Sequence, residues 1–169
     1  MNRIDTVNFS LDDQNPRGQF GAICWRMHRG HVKVLLITSR DTGRWVIPKG
    51  WPMANRTGAQ AAAQEAWEEA GVEGKCGPDT PIGYYSYDKM IKPGEALPCM
   101  VAVYGLRVAR MRAKFPERSE RRRKWFDAVR AARKVAEPEL RELLLAVAGD
   151  RGLLTPTRAE GEDTGIASS

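Results

Sequence analysis

Histidine and cysteine are scarce in this chain, long apolar runs are absent, and each shortage excludes a class of protein. Its 169 residues contain two histidines and three cysteines. Cys24, Cys76 and Cys99 are widely spaced and odd in number, which fits neither a disulfide framework nor a Cys-x-x-Cys zinc site. Cys24 and Cys99 sit in apolar runs and are expected as buried free thiols. His28 and His31 flank Arg29-Gly30 in a turn, where they read as solvated loop residues rather than metal ligands. No stretch approaches the roughly 18 consecutive apolar residues that span a bilayer, so no membrane partner is expected. Residues 1–13 are polar and mixed in charge, without the apolar core of a signal peptide. The expected location is the cytoplasm.

What is present suits a single soluble domain. Hydrophobic residues make up 42% and charged residues 28%, enough for a sizeable core under a polar surface. Lys plus Arg exceed Asp plus Glu by 27 to 21, a net charge of +6. That excess favours anionic partners such as polyphosphates, nucleotides or nucleic acid, although solubility alone accounts for it as well.

Along the chain, residues 1–16 lack apolar periodicity and are expected as a flexible lead-in. Segments 20–26 and 33–39 read as a strand hairpin, and 45–48 as a short extended piece ending at Pro48. Residues 84–88 and 100–108, rich in aromatic and β-branched side chains, read as strands. A loop marked by Pro93-Gly94 joins them over 89–98. The region 115–148 reads as helical, from Ala128, Val129, Ala132, Val135 and then Leu140, Leu143, Leu144, Val147 at spacings of three and four. Residues 150–169 are expected as a disordered tail. The folded domain then covers 17–149, an α+β domain of layered α/β/α type.

Residues 57–71 read Thr-Gly-Ala-Gln-Ala-Ala-Ala-Gln-Glu-Ala-Trp-Glu-Glu-Ala-Gly. Thr57 and Gln60 have the spacing of a capping box, alanine is the best helix former, and Gly71 suits a left-handed stop. The pattern predicts a helix over 58–70. At about 100° per residue, Ala59, Ala63, Ala66, Trp67 and Ala70 make the expected buried face, with Glu65, Glu68 and Glu69 opposite. Three carboxylates at this spacing repel one another by a few tenths of a kcal/mol per pair. A solvated acidic face is one reading of them; a divalent cation held by hard oxygen ligands is the other.

The context decides between these. Gly50, then five residues, Arg56, seven residues, and Gln64-Glu65-Ala66-Trp67-Glu68-Glu69-Ala70-Gly71-Val72 resemble the Nudix box. Gly50, the three glutamates, Gly71 and Val72 match the box at its spacings. Two positions depart: Arg56 stands where the family has its first glutamate, and Gln64 where it has arginine. Both changing together strands neither charge, and Gln64 retains an amide that can donate toward Glu65. The resemblance covers 20–126 and implies a mixed sheet packed between helices. It implies a metal-dependent hydrolase of phosphoanhydride bonds, with Gly50, Glu65 and Glu69 holding Mg²⁺ or Mn²⁺. Glu68 and Glu69 are the candidates for proton acceptor, with Asp88, Glu95, Glu117 and Glu120 as outside helpers.

Within the family, Val34-Leu-Leu-Ile-Thr-Ser39, Arg44-Trp-Val-Ile-Pro48 and Trp125-Phe126 resemble the diphosphoinositol and dinucleoside polyphosphate phosphohydrolases. That implies polyphosphate contacts from Arg17, Ser39 and Arg121, with Arg40 and Lys49 near by. Arginine offers a forked donor, serine a hydroxyl and lysine a point charge. The basic run Arg118, Arg121, Arg122, Arg123, Lys124 reads as a solvated helix lead-in or as a rim for polyanions. No stacking aromatic series or RNA-module motif accompanies it. The expected partner is therefore a small polyphosphate, and nucleic acid only as a capped or triphosphate end. A degenerate box that binds polyphosphate without turnover, and RNA binding through the basic run, are the alternatives.

Overall fold

The computed structural model describes residues 17–155. The expected lead-in 1–16 and the tail from 156 onward lie outside the described residues. The elements in chain order are strands β1 (Arg17–His28), β2 (His31–Thr38), β3 (Trp45–Val46) and β4 (Lys49–Gly50), then helix α1 (Gly58–Ala70). Strands β5 (Val72–Cys76), β6 (Gly83–Lys92), β7 (Glu95–Met111) and β8 (Arg123–Asp127) follow, then helices α2 (Ala128–Lys134) and α3 (Pro138–Gly149). A 3₁₀ turn, Arg151–Leu154, closes the described chain.

All eight strands join one mixed sheet in the order β3-β2-β1-β7-β5, with β4 on β1, β6 on β7 and β8 on β2. The β1–β7 pair is parallel and the others are antiparallel. β1 is the axis of the sheet, buried on both faces from Gly21 to Trp25. Its alternation sends Ala22 and Cys24 toward α1, where they meet Ala59, Ala62, Ala66 and Leu106. Ile23 and Trp25 go to the other face, beneath α2 and α3, with Phe126, Leu140, Leu144 and Val147. Helices therefore cover both faces of the sheet, the layered α/β/α arrangement read from the sequence.

The hairpin at Arg29-Gly30 forms with both residues at positive φ, 50° and 79°, the geometry that matches the twist of the strands it joins. His28 and His31 are exposed at its base, and Cys24 and Cys99 are buried thiols as expected. Helix α1 spans the predicted residues, with both capping-box bonds at Thr57 and Gln60, and Gly71 at φ 67°.

Two readings are corrected, and one strand carried no reading at all. The loop expected over 89–98 is instead the tip of a long hairpin, β6 reaching Lys92 and β7 starting at Glu95, so that only Pro93-Gly94 turn. Residues 115–127, read as the start of a helical region, are not helical. Arg123–Asp127 pairs antiparallel with β2 at the sheet edge, because that edge offers unpaired backbone groups and Phe126 a buried seat. β5, polar and glycine-containing, carried no strand signal and forms by pairing with β7 through a bulge at Glu73/Gly74. Past the expected boundary at 149, Leu154 is buried, its backbone lying against Gly105.

Candidate active site

The site grows from the contact between α1 and β4. β4 pairs with Phe20-Gly21 of β1, and the Ala22 amide donates to the Pro48 carbonyl at 3.0 Å, which fixes the backbone of Lys49-Gly50. Helix α1 lies across this strand and presses the Glu65 carboxylate against Gly50, so closely that any Cβ there would overlap it. Glycine is required at 50 for this approach. The Lys49 amide donates to Glu69 Oε2 at 3.3 Å.

The three glutamates do not share one solvated face. The buried stripe of α1 runs through Gly58, Ala59, Ala61, Ala62, Ala66, Glu69 and Ala70, so Glu69 is inside while Ala63 and Trp67 are only half-buried. Glu69 is held by Arg121, whose Nη2 lies 3.3 Å from Glu69 Oε1. The same guanidinium donates from Nε to Glu117 Oε1 at 3.0 Å and from Nη1 to the Thr38 carbonyl at 3.0 Å. Arg121 thus ties α1, β2 and the 115–120 turn together, and the carboxyl end of α1 is held by the same segment. The Glu117 amide donates to the Glu68 carbonyl at 2.9 Å, and Arg123 Nη1 to the Ala70 carbonyl at 2.7 Å.

Burial sets the acidities. It is the main force pushing the Glu65 carboxyl up to about 8, and the adjacent Glu69 adds to it by charge and by hydrogen bond. Burial also raises Glu69, against the opposing pull of Arg121 and Lys49. Two carboxylates so placed titrate as a pair that favours sharing a proton. Burial lowers Lys49, opposed first by the charge of Glu69 and then by that of Glu137.

These groups line a cleft of about 380 Å³. Ser39, Arg40, Lys49, Gly50, Glu65, Glu69 and Arg121 all lie on its wall, as do Asp88 and Glu117. Glu68 and Arg17 do not. Glu68 receives the Gln64 amide at 3.2 Å, so Gln64 supports Glu68 rather than Glu65. An amide one helical turn before Glu68 meets it along the same helix face. Arg17 starts β1 opposite Cys99, with a buried Nε that has no partner. Arg40 is engaged with Glu117 at 3.6 Å and Glu120 at 3.5 Å. Glu95 pairs with Lys92 at the hairpin tip. Sequence reasoning missed Gln19, Tyr87 and Glu137, which complete the wall from β1, β6 and the start of α3. None lies near the box in sequence, and no local pattern marks them.

The donor set suits a divalent cation of the magnesium type. Glu65 and Glu69 offer hard oxygen side by side, burial together with their mutual proximity holds the Glu65 carboxyl above its ordinary range, and Gly50 has no side chain to stand between them and the strand. Among the described residues no group of three or more His, Cys, Asp or Glu side chains gathers into a closed metal cage. Magnesium, which keeps several waters and substrate oxygens, does not need one.

No family model matches the chain. It is 32% identical to Nudix hydrolase 16, mitochondrial, of Arabidopsis thaliana over 117 residues, which are 68% of this chain and 64% of that protein. It is also 32% identical to human diphosphoinositol polyphosphate phosphohydrolase 3-alpha over 68 residues, 40% of this chain and 42% of that one. The chain therefore spans less than two thirds of the length of these curated relatives. Among solved structures, the E. coli dihydroneopterin triphosphate pyrophosphohydrolase superposes with a TM-score of 0.60 at 18% identity, covering 79% of this chain and 95% of that one. A C. elegans Ap4A hydrolase gives 0.56 at 19%, covering 78% and 96%.

Proposed function

The chain is similar to Nudix hydrolases in sequence and shares their fold, and from that premise we propose that it is a divalent-metal-dependent hydrolase. Its reaction is cleavage of a phosphoanhydride bond in a nucleoside- or inositol-linked di- or polyphosphate by attack of water on phosphorus. One observation carries this reading. Glu65 and Glu69 converge against Gly50 on the wall of a cleft that also presents Lys49 and Arg121.

Glu65 and Glu69 would hold Mg²⁺ or Mn²⁺, which neutralises phosphate charge and activates water when bound. The chain's own residues do the rest. Lys49, unpaired with any carboxylate among the described residues, is a point charge for a phosphate. Ser39 and Arg40 lie at the cleft mouth, and Arg121 orients Glu69 from behind. Glu69, on the cleft wall, is the first candidate to take the proton of the attacking water, and Glu68, which lies off that wall, is the second. Holding charge-stabilising groups in fixed positions is where most of the catalysis of phosphoryl transfer resides.

A nucleic acid enters this scheme only as a capped or triphosphate end. The reading places the protein in the cytoplasm, supported by three free cysteines; no helix among the described residues is long and apolar enough to cross a membrane. A binding module without turnover is the second reading, favoured by Arg121, which already supplies Glu69 with a cation.

The test is a panel of nucleoside polyphosphates, dinucleoside polyphosphates and diphosphoinositol phosphates with Mg²⁺, Mn²⁺ or EDTA, following release of phosphate or nucleotide. Divalent-dependent release is expected, with Glu69→Gln lowering turnover about a hundredfold. Activity unchanged in excess EDTA overturns the metal mechanism, and binding without turnover selects the second reading.

A further inference from the structure

Lys49 and Gly50 are neighbours on β4, and successive residues of an extended strand turn to opposite sides. Glu65 fills the space that a side chain on Gly50 would take, so its carboxylate approaches β4 from the α1 side. The Lys49 side chain leaves on the other side, that of α3, where its ammonium lies over the ring of Tyr87 at 4.9 Å from the centroid. A lysine on a flexible four-carbon stem pairs readily with carboxylates in reach, and Glu69, Asp88, Glu117 and Glu137 all line the same cleft. Among the described residues its ammonium has no carboxylate in ion-pair contact, while Arg40 and Arg121 of that cleft are both paired. The seat on Tyr87 sets Lys49 apart from them.

Tyr87 is itself fixed. Its hydroxyl donates to Gln19 Oε1 at 2.6 Å, and its ring stands 6.2 Å from that of Tyr85. Tyr85 is 1% exposed and Gln19 3%, so both supports belong to the packed sheet and do not follow a moving side chain. The bond to Gln19 crosses β7, since Gln19 lies opposite Val101 on one edge of that strand and Tyr87 opposite Cys99 on the other. The face of a tyrosine ring is negative by its quadrupole alone, so it attracts an ammonium without neutralising it. Lys49 is thereby held in place with its charge still open to the cleft. Carboxylates on one side of β4 and a free ammonium on the other give the cleft two unlike walls, and the ammonium wall fits a phosphate.

We propose that Tyr87, fixed by Gln19, is a positioning residue that keeps the Lys49 ammonium off the cleft carboxylates and presents it to a phosphate group of the ligand. The inference rests on the hydrolase reading for which phosphate chain is held, and not for the holding itself.

Proton–carbon spectra of the lysine Cε groups in the full chain read the seat directly, because protons above an aromatic ring resonate upfield. One shifted signal is expected, absent in Lys49→Met, returned to the ordinary lysine position in Tyr87→Leu and kept in Tyr87→Phe. Gln19→Ala, which frees the hydroxyl, should lie between the last two. Inorganic tripolyphosphate, added in EDTA and again with Mg²⁺, should move the shifted signal. Its calorimetric Kd should rise about threefold to thirtyfold in Tyr87→Leu, the span of a cation–π contact, and stay near the parent value in Tyr87→Phe. In the Lys49→Met background Tyr87→Leu should add nothing further, whereas a purely structural role would persist there.

An unshifted Lys49 signal in the parent, a shift that survives Tyr87→Leu, or equal tripolyphosphate affinity in the parent and Tyr87→Leu overturns the proposal. A loss that persists undiminished in the Lys49→Met background does so too, since the ring then acts by packing. A chain that hydrolyses nothing, yet shows the shifted signal and the coupled loss of tripolyphosphate binding, sinks the hydrolase reading alone. Hydrolysis with a Lys49 signal indifferent to Tyr87 sinks this one alone.

Discussion

Arg121 and Glu69 form a buried ion pair, 3.3 Å apart with side chains 11% and 4% exposed, at the point where the carboxylate helix meets the cleft. The sequence resemblance made Arg121 a phosphate contact at the rim. In the fold its guanidinium is spent on Glu69, Glu117 and the Thr38 carbonyl. Removing it strands a carboxylate in a buried place, a change that costs about 3 kcal/mol or more. Arg121→Ala should therefore lower stability in EDTA by roughly that amount, measured by urea unfolding. Adding Glu69→Gln should recover much of the loss, and Mg²⁺ should stabilise Arg121→Ala more than the parent. A stable single variant with only a raised KM would return Arg121 to the rim.

The paired carboxylates predict how stability depends on pH without metal. Glu65 is raised from 4.5 to about 8, so between those values the folded form binds a proton that the unfolded chain does not. Stability is then fully present below about 4.5 and falls as the pH rises toward 8. Melting temperatures in EDTA across this window should show the decline, and Glu65→Gln should flatten it. Mg²⁺ should flatten it as well, by replacing the proton with a cation. A parent whose stability rises steadily over the same window would show that the pair is ionised without metal.

Gly50→Ala tests the closeness of strand and helix. The added Cβ would overlap the Glu65 carboxylate, and the backbone neighbours of Gly50 are fixed by pairing with β1. Glu65 must therefore move. A loss of activity of about tenfold to a hundredfold is expected, as for other displacements of metal-site geometry, with weaker Mg²⁺ stabilisation in thermal melts. Full activity in this variant would remove Glu65 from the site.

The two departures from the box should act independently. Gln64 bonds to Glu68, and Arg56 is exposed on the loop before α1; no hydrogen bond joins the two. Gln64→Ala should affect kcat/KM less than Glu65→Gln does. The cycle of Arg56→Glu with Gln64→Arg, measured at saturating Mg²⁺, should be additive within about 0.5 kcal/mol. A strong positive coupling would mean that the loop carrying Arg56 closes onto the helix in the working enzyme.

The sequence by itself determined what depends on neighbours along the chain. Helix α1 starts at a capping box and stops at a left-handed glycine, and both signals act within four residues. The Arg29-Gly30 turn is local in the same sense. The rotation of α1 was not legible, because alanines at 59, 61, 62, 63, 66 and 70 give two faces nearly equal hydrophobic contrast. Packing on the sheet chose the stripe that includes Glu69. Only tertiary structure decided where the basic run went. The unpaired edge of β2 drew Arg123–Asp127 into a strand, and that register placed Arg121 inside the cleft and Arg123 on the end of α1. Glu137 and Lys49, far apart in sequence, line one cleft because α3 packs against the sheet. No periodicity in one segment records a meeting of that kind, since it exists only once the layers have packed.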